Sequence, residues 1–399
     1  MNWQPSKFKF VMLLLTTIGL TALYVGSCTN DDHLISVPNV EGKDLVSIKV
    51  TTPPTIDGTI DVMWENAPKL KFEAVVPDPT GDIFRGYVGN NIPSVTLRSA
   101  YDDQNIYFLA EWVDPTKSLS REPWYFDPTS NLWKQEAGAP IFIAPTRAAF
   151  YEDKIAMLWN VDNSVSGWNA ATCYKSCHTG LPALDGSGRH FTNNASERID
   201  MWHWKSVRGG VNTDQFDDQF QDNSYPNGRK SDSGAGGYSD NAQNLVITGS
   251  SPAVTVKVPK YFIPTRTNYG WIMKTEIDNG TAKQITSVDA NGVLTYDGGT
   301  IDPIADVDFQ RAGAGVGAKA IPGITMSPYE GSRGDITCKA VHTGSGWILE
   351  FKRALNTGDT ERKDVDFSSL DDQYFGFGVF DNAQIAHAIK PNLLLKFQK

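Results

Sequence analysis

The sequence predicts an all-β protein: an antiparallel β-sandwich with long inserted loops and one or two short helices. Three observations lead there. Short segments rich in β-branched and aromatic residues recur along the chain, each bounded by Gly, Pro, Asn or Asp. Several alternate in polarity, as in Trp347-Ile-Leu-Glu350-Phe-Lys-Arg353, which gives one apolar and one wet face. Helical signals are few, and no repeat at a fixed period points to a propeller or solenoid.

At the N-terminus, Lys7 and Lys9 precede an apolar run from Phe10 to Val25 that ends in Val25-Gly26-Ser27-Cys28. A basic start, a short apolar stretch and small residues before a cysteine read as a lipoprotein signal over residues 1–27, with lipid attached to Cys28. Acylation of that cysteine with more than one chain anchors a protein stably. Residues 28–45 read as a polar tether and residues 46–399 as one large domain outside the cytoplasm, on the periplasmic or outer face of a bacterial membrane. Loss of Lys7 and Lys9 takes the formal charge from −10 to −12, with the acids spread along the chain, so no nucleic-acid partner is expected.

Within the domain, strands are expected at 45–51, 94–100, 106–113, 154–161, 244–247, 255–258, 270–277, 347–352 and 374–380. Asp61–Ala67 reads as a turn or two of helix. Ala195–Arg208 reads as a short helix, with Ser196 to cap it, Glu197 in its first turn and Gly209-Gly210 to stop it. Asp214–Asp240 reads as a long loop, and loops of that length are commonly functional. Gly313-Ala-Gly315-Val-Gly317 lacks the strand and spacing of a phosphate-binding loop and is read as a plain loop. Asp217-Asp218 with Asp222, and Asp102-Asp103, are read as solvated carboxylates rather than calcium ligands.

Cys173-Tyr-Lys-Ser-Cys177-His178 carries the chemistry. It resembles the C-x-x-C-H segment in which two thiols add to haem vinyl groups and the imidazole binds iron, with one extra residue between the cysteines. The same residues admit a Cys173–Cys177 disulfide or a metal such as zinc. A low-spin electron carrier needs a second strong axial ligand, and the candidates are His190, His203, His342 and His387, with Met201 and Met273 behind them; His33 falls in the tether. Trp202 and Trp204 would share one face of a strand and diverge on a helix. They are candidates for packing over a porphyrin edge, and ordinary core is the alternative. Lys205 or Arg208 could pair a propionate. Cys338 is left as an odd thiol, which mildly favours a disulfide with Cys173 or Cys177.

Ile56-Asp57-Gly58 through Trp64 to Ala67-Pro68, then Leu97–Trp112 with Asp114-Pro115-Thr116, are similar to the entry segment and following strand pair of the ethylbenzene dehydrogenase haem-binding family, and also of sugar-binding sandwich modules. The cysteine pair with His178 ahead of Trp202-His-Trp204-Lys205 resembles the haem-attaching branch of that family. Gly376–Ile389 is similar to the family's late strand. Members include haem subunits of molybdenum oxidoreductases with Met and Lys iron ligands. This chain departs at both places, and the resemblance aligns His178 and His387 with them. It therefore implies one covalent haem c with bis-histidine iron, held by Cys173, Cys177, His178 and His387, and a low potential. It further implies a non-enzymatic electron carrier whose redox partner is a molybdenum enzyme or another cytochrome, which the N-terminal signal and Cys28 would anchor by lipid. The alternative is a surface lipoprotein with a carbohydrate-binding sandwich, exposed tryptophans and a Cys173–Cys177 disulfide.

Overall fold

The computed structural model describes residues 42–77, 89–136, 150–176, 190–225, 227–310 and 319–399. The signal segment with Cys28, the glycine-rich 313–317 loop, and Cys177 and His178 lie outside them. Among the described residues no helix is long and apolar enough to cross a membrane.

The expected all-β architecture is present, built on one 12-stranded sheet that curls until its two halves face each other. Its strands are β1 (Asp44–Lys49), β2 (Leu70–Ala74), β3 (Ile92–Tyr101), β4 (Asn105–Val113), β5 (Lys154–Asn160), β6 (Ile199–Lys205), β7 (Asp217–Gln221) and β8 (Arg229–Ser231), followed by β9 (Thr337–His342), β10 (Gly346–Ala354), β11 (Gln373–Phe380) and β12 (Ala388–Phe397). The order is β8-β7-β6-β5-β11-β12-β1-β3-β4-β10-β9, with β2 also paired to β3. Every pairing is antiparallel except those of β1, which lies parallel to both β12 and β3.

Alternation along the strands sorts the side chains. Ile155, Met157 and Trp159 of β5, Trp202 and Trp204 of β6, and Phe375, Phe377 and Val379 of β11 point between the halves. They meet Phe108 and Trp112 of β4 and Phe351 of β10. The Trp202 ring lies 5.8 Å edge-on from Phe108, and Trp204 lies 5.8 Å from Trp112. The outer face of β3, β4 and β10 is covered by the 56–67 segment: Trp64 is buried there, donating from Nε1 to Glu350 Oε1 at 3.0 Å. Asp61–Ala67 does form a short helix, of 3-10 type, over Val62–Asn66.

Three expectations are corrected. Residues 195–208 do not form a helix: Ile199–Lys205 is the buried strand β6, paired on both sides. Ser196 donates to Asn194 Oδ1 in a local turn and caps nothing, and the Gly209-Gly210 stop belongs to the turn after the strand. Asp214–Asp240 is not one loop: it supplies β7, β8 and a further strand, Gly237–Asp240, with Asp217 and Asp218 buried. The 270–277 segment is strand only at Ile272–Met273, then turns helical over Lys274–Asp278. Insertions from 124–135 and 243–321 also build a second apolar core around Trp124, Phe126, Trp133, Phe262, Ile285 and Leu294.

Candidate functional site

The outward face of β5, β6 and β11 carries a separate apolar cluster that includes Ala156, Leu158, Met201, Phe380, Ile389 and Cys173. Cys173 reaches it from a turn, Thr172–Lys175, that follows a single helical turn, Trp168–Ala171. The turn is fastened to the sheet. Trp168 Nε1 donates to the Tyr374 carbonyl at 2.8 Å, and Thr172 Oγ1 accepts from Asn392 N at 3.1 Å. Asn392 follows Pro391, where the β11–β12 register shifts, so a bulge in β12 presents the anchoring amide. Thr172 itself takes a positive φ of 40°, a strained setting for a β-branched residue, immediately before the cysteine.

Two glycines make room on β11. A Cβ on Gly376 would sit 3.2 Å from Cys173 Cβ and 3.3 Å from its sulfur; one on Gly378 would sit 3.2 Å from His387 Cδ2. Positions two apart on a strand share a face and lie about 6.6 Å apart. Cys173 and His387 are therefore neighbours on one surface. His387 is half-buried, its Nδ1 2.8 Å from the Ile385 carbonyl and its ring stacked on Phe380 at 4.2 Å.

His203 is on the same face, in register with Ala156 and Gly378, its ring 5.8 Å from Phe380. It is 3% exposed and its Nε2 has no hydrogen-bond partner among the described residues. Burial, reinforced by Lys205, Arg229, Lys154 and Arg208, holds its pKa well below the usual histidine value, so the ring is neutral. Those four cations are the second character of the face. Lys154 Nζ lies 4.0 Å over the Phe380 ring and donates to the Gln384 carbonyl at 3.0 Å. Lys205 is paired with Asp217, which Arg333 also holds at 2.6 Å, and burial lowers Lys205 to about 7. Arg208 is paired with Glu152.

Of the residues singled out from sequence, the fold thus brings together Cys173, His387, His203, Met201 and Lys205. It sends Trp202 and Trp204 the other way, into the sandwich core, because odd and even positions of β6 face opposite sides. Packing over a group on the Cys173 face does not fall to them. His342 has both ring nitrogens engaged, with the Asp114 carbonyl and the Gly344 amide. Cys338 lies in the inner core, its thiol donating to the Gly210 carbonyl at 3.8 Å, with the sheet between it and the Cys173 cluster. Sequence reasoning missed Lys154, Gly376 and Gly378. A Gly-x-Gly inside a strand is the signal that could have found the last two.

The family model for ethylbenzene dehydrogenase matches residues 61–390. The chain belongs to the ethylbenzene dehydrogenase family. That match spans both halves of the sandwich and every residue of the Cys173 face, and membership is compatible with a subunit associated with an oxidoreductase. No curated protein matches this family member's sequence. Among solved structures it is similar to a family 9 carbohydrate-binding module from Caldicellulosiruptor kristjanssonii in complex with glucose, at 12% identity and a TM-score of 0.28, covering 89% of this chain and 96% of that one. The same module in complex with cellotriose gives 12% identity and 0.28, covering 89% and 94%.

A haem asks for an apolar bed, a nearby thiol, neutral imidazole and cations for its two propionates. The residues present fit: Ala156, Leu158, Met201 and Phe380 form the bed, Cys173 the thiol, His387 and His203 the imidazoles, Arg208 and Arg229 the positive charge, and Lys154 and Lys205 further hydrogen-bond donors.

Proposed function

We propose that this ethylbenzene dehydrogenase family member is a lipid-anchored, extracytoplasmic c-type cytochrome that relays single electrons, either as a respiratory carrier or as the haem subunit of a molybdenum oxidoreductase. The observation that carries the reading is the placement of Cys173 and His387 over Gly376 and Gly378 on one outward face. A haem held there would supply reversible one-electron chemistry at iron. Cys173 and Cys177 would fix it, and His178 and His387 would hold its iron. Cys173 is held by the Trp168 and Asn392 contacts; His387 is held by its stacking on Phe380. Lys154, whose pKa burial and the neighbouring Arg208 hold well below the usual lysine value, would offer a propionate a hydrogen-bond donor.

The carbohydrate-binding alternative needs exposed tryptophans as stacking platforms. Among the described tryptophans none is exposed, and Trp271 alone is half-buried. Cys173→Ala tests the reading: in protein matured with haem-attachment machinery, the haem should be lost or held through one thioether, which moves the ferrous pyridine band to longer wavelength. An unchanged spectrum and mass would refute the role of Cys173.

A further inference from the structure

Three strand ends meet at one corner of the sandwich, and each is flanked by an aspartate. Asp114 follows β4, Asp153 precedes β5 and Asp381 follows β11. One carboxylate oxygen from each lies within 4.8 Å of the other two. Asp114 is 1% exposed and Asp153 0%.

Neutral donors hold these carboxylates in place. Asp153 accepts from Asn382 N at 3.0 Å, Ser118 N at 2.8 Å and Trp347 Nε1 at 3.1 Å. Asp114 Oδ1 accepts from Thr116 N at 3.0 Å and Thr116 Oγ1 at 3.1 Å, and Asp381 Oδ2 accepts from Asn90 Nδ2 at 2.9 Å. No lysine or arginine among the described residues pairs with any of the three. The His342 ring lies beside the corner, its Nε2 3.0 Å from the Asp114 carbonyl. Asp114 Oδ2 is buried and has no hydrogen-bond partner among the described residues. Burial and mutual repulsion push Asp114 up to about 6 and Asp153 up to about 7.

Two buried carboxylates and a half-exposed third without a counter-charge are unfavourable together, and this corner brings them within 4.8 Å of one another while leaving one oxygen without a hydrogen bond. An all-oxygen donor set suits a hard cation, and calcium tolerates the irregular geometry and mixed carboxylate and water shell that three carboxylates would give. We propose that Asp114, Asp153 and Asp381 bind a calcium-class divalent cation, which ties β4 in one half of the sandwich to β5 and β11 in the other. Asp381 opens the turn that ends at His387, and Asn382 N is bonded to Asp153, so the cation would also brace that turn. The proposal stands whether or not a haem is bound.

Terbium is the probe, because Trp347 touches Asp153 and can sensitise its emission. Chelator-treated full-length protein should show tryptophan-excited terbium emission that calcium displaces. Saturating calcium should raise the melting temperature by roughly 5 °C. Asp114→Asn and the half-exposed Asp381→Asn should each abolish both responses, while Asp103→Asn, at an exposed surface acid, should keep them. Chelated Asp114→Asn should also melt higher than chelated wild type, since a buried charge is gone. Absent emission and an unmoved melting temperature in wild type, or unchanged responses in both variants, would overturn the proposal.

Discussion

Cys173 and His387 pack against the same strand through two alternate glycines, Gly376 and Gly378, each of which would press its neighbour at 3.2 Å if it carried a Cβ. Distant parts of the chain are thereby brought to one surface at a spacing set by the β-strand repeat. The seat is as specific as the residues it holds.

Gly376→Val should therefore push Cys173 off the sheet while leaving the strand's pairing intact. The expected outcome is a several-fold drop in covalently retained haem with near-wild-type far-ultraviolet circular dichroism, read from the haem-to-protein ratio after denaturation.

His387 and His203 can be separated by spectroscopy. With His387 as the second ligand, His387→Ala should turn a low-spin haem spectrum high-spin, and His203→Ala should leave it low-spin. The reverse pattern would transfer the ligand role to His203, whose Nε2 is uncommitted.

Arg353 is fully buried, bonded to Asp200 Oδ2 at 2.8 Å and lying 4.8 Å over the Trp202 ring, with Asp218, Asp335 and Asp364 also facing it. Arg353→Met should destabilise the fold by about 3–5 kcal/mol in urea unfolding, because it strands those carboxylates in the interior.

Asp232 belongs to the same acidic group. Burial, then Asp364 and Asp200, raise it to about 8. A carboxyl whose folded pKa exceeds its unfolded value of about 4 contributes stability that is complete below pH 4 and is lost as pH rises through 8. Stability of wild type relative to Asp232→Asn should fall by roughly 1–3 kcal/mol between pH 5 and pH 8. Equal slopes for the two proteins would contradict this.

Much of the sandwich was legible because β3, β4, β5, β10 and β11 carry β-branched and aromatic runs with clear boundaries. Strand β6 was misread where Ser196, Glu197 and Gly209-Gly210 mimic helix ends. The alternation of Trp202 and Trp204 was the truer signal, and it also placed them in the core. The second core was hidden because Trp124 and Trp133 join partners more than a hundred residues later, such as Ile285 and Leu294. Cys173 could be named from its motif, but its seat depends on Gly376 and a bulge at Pro391-Asn392, which only pairing reveals. The aspartate corner was invisible for the same reason: Asp114, Asp153 and Asp381 meet only when three strand ends do.

The most direct test of electron transfer is the alkaline pyridine spectrum of protein expressed with haem c maturation machinery, taken with its denatured intact mass. A c-type ferrous band and one covalently retained haem are the predicted result. Colourless protein of apo mass would contradict the cytochrome reading.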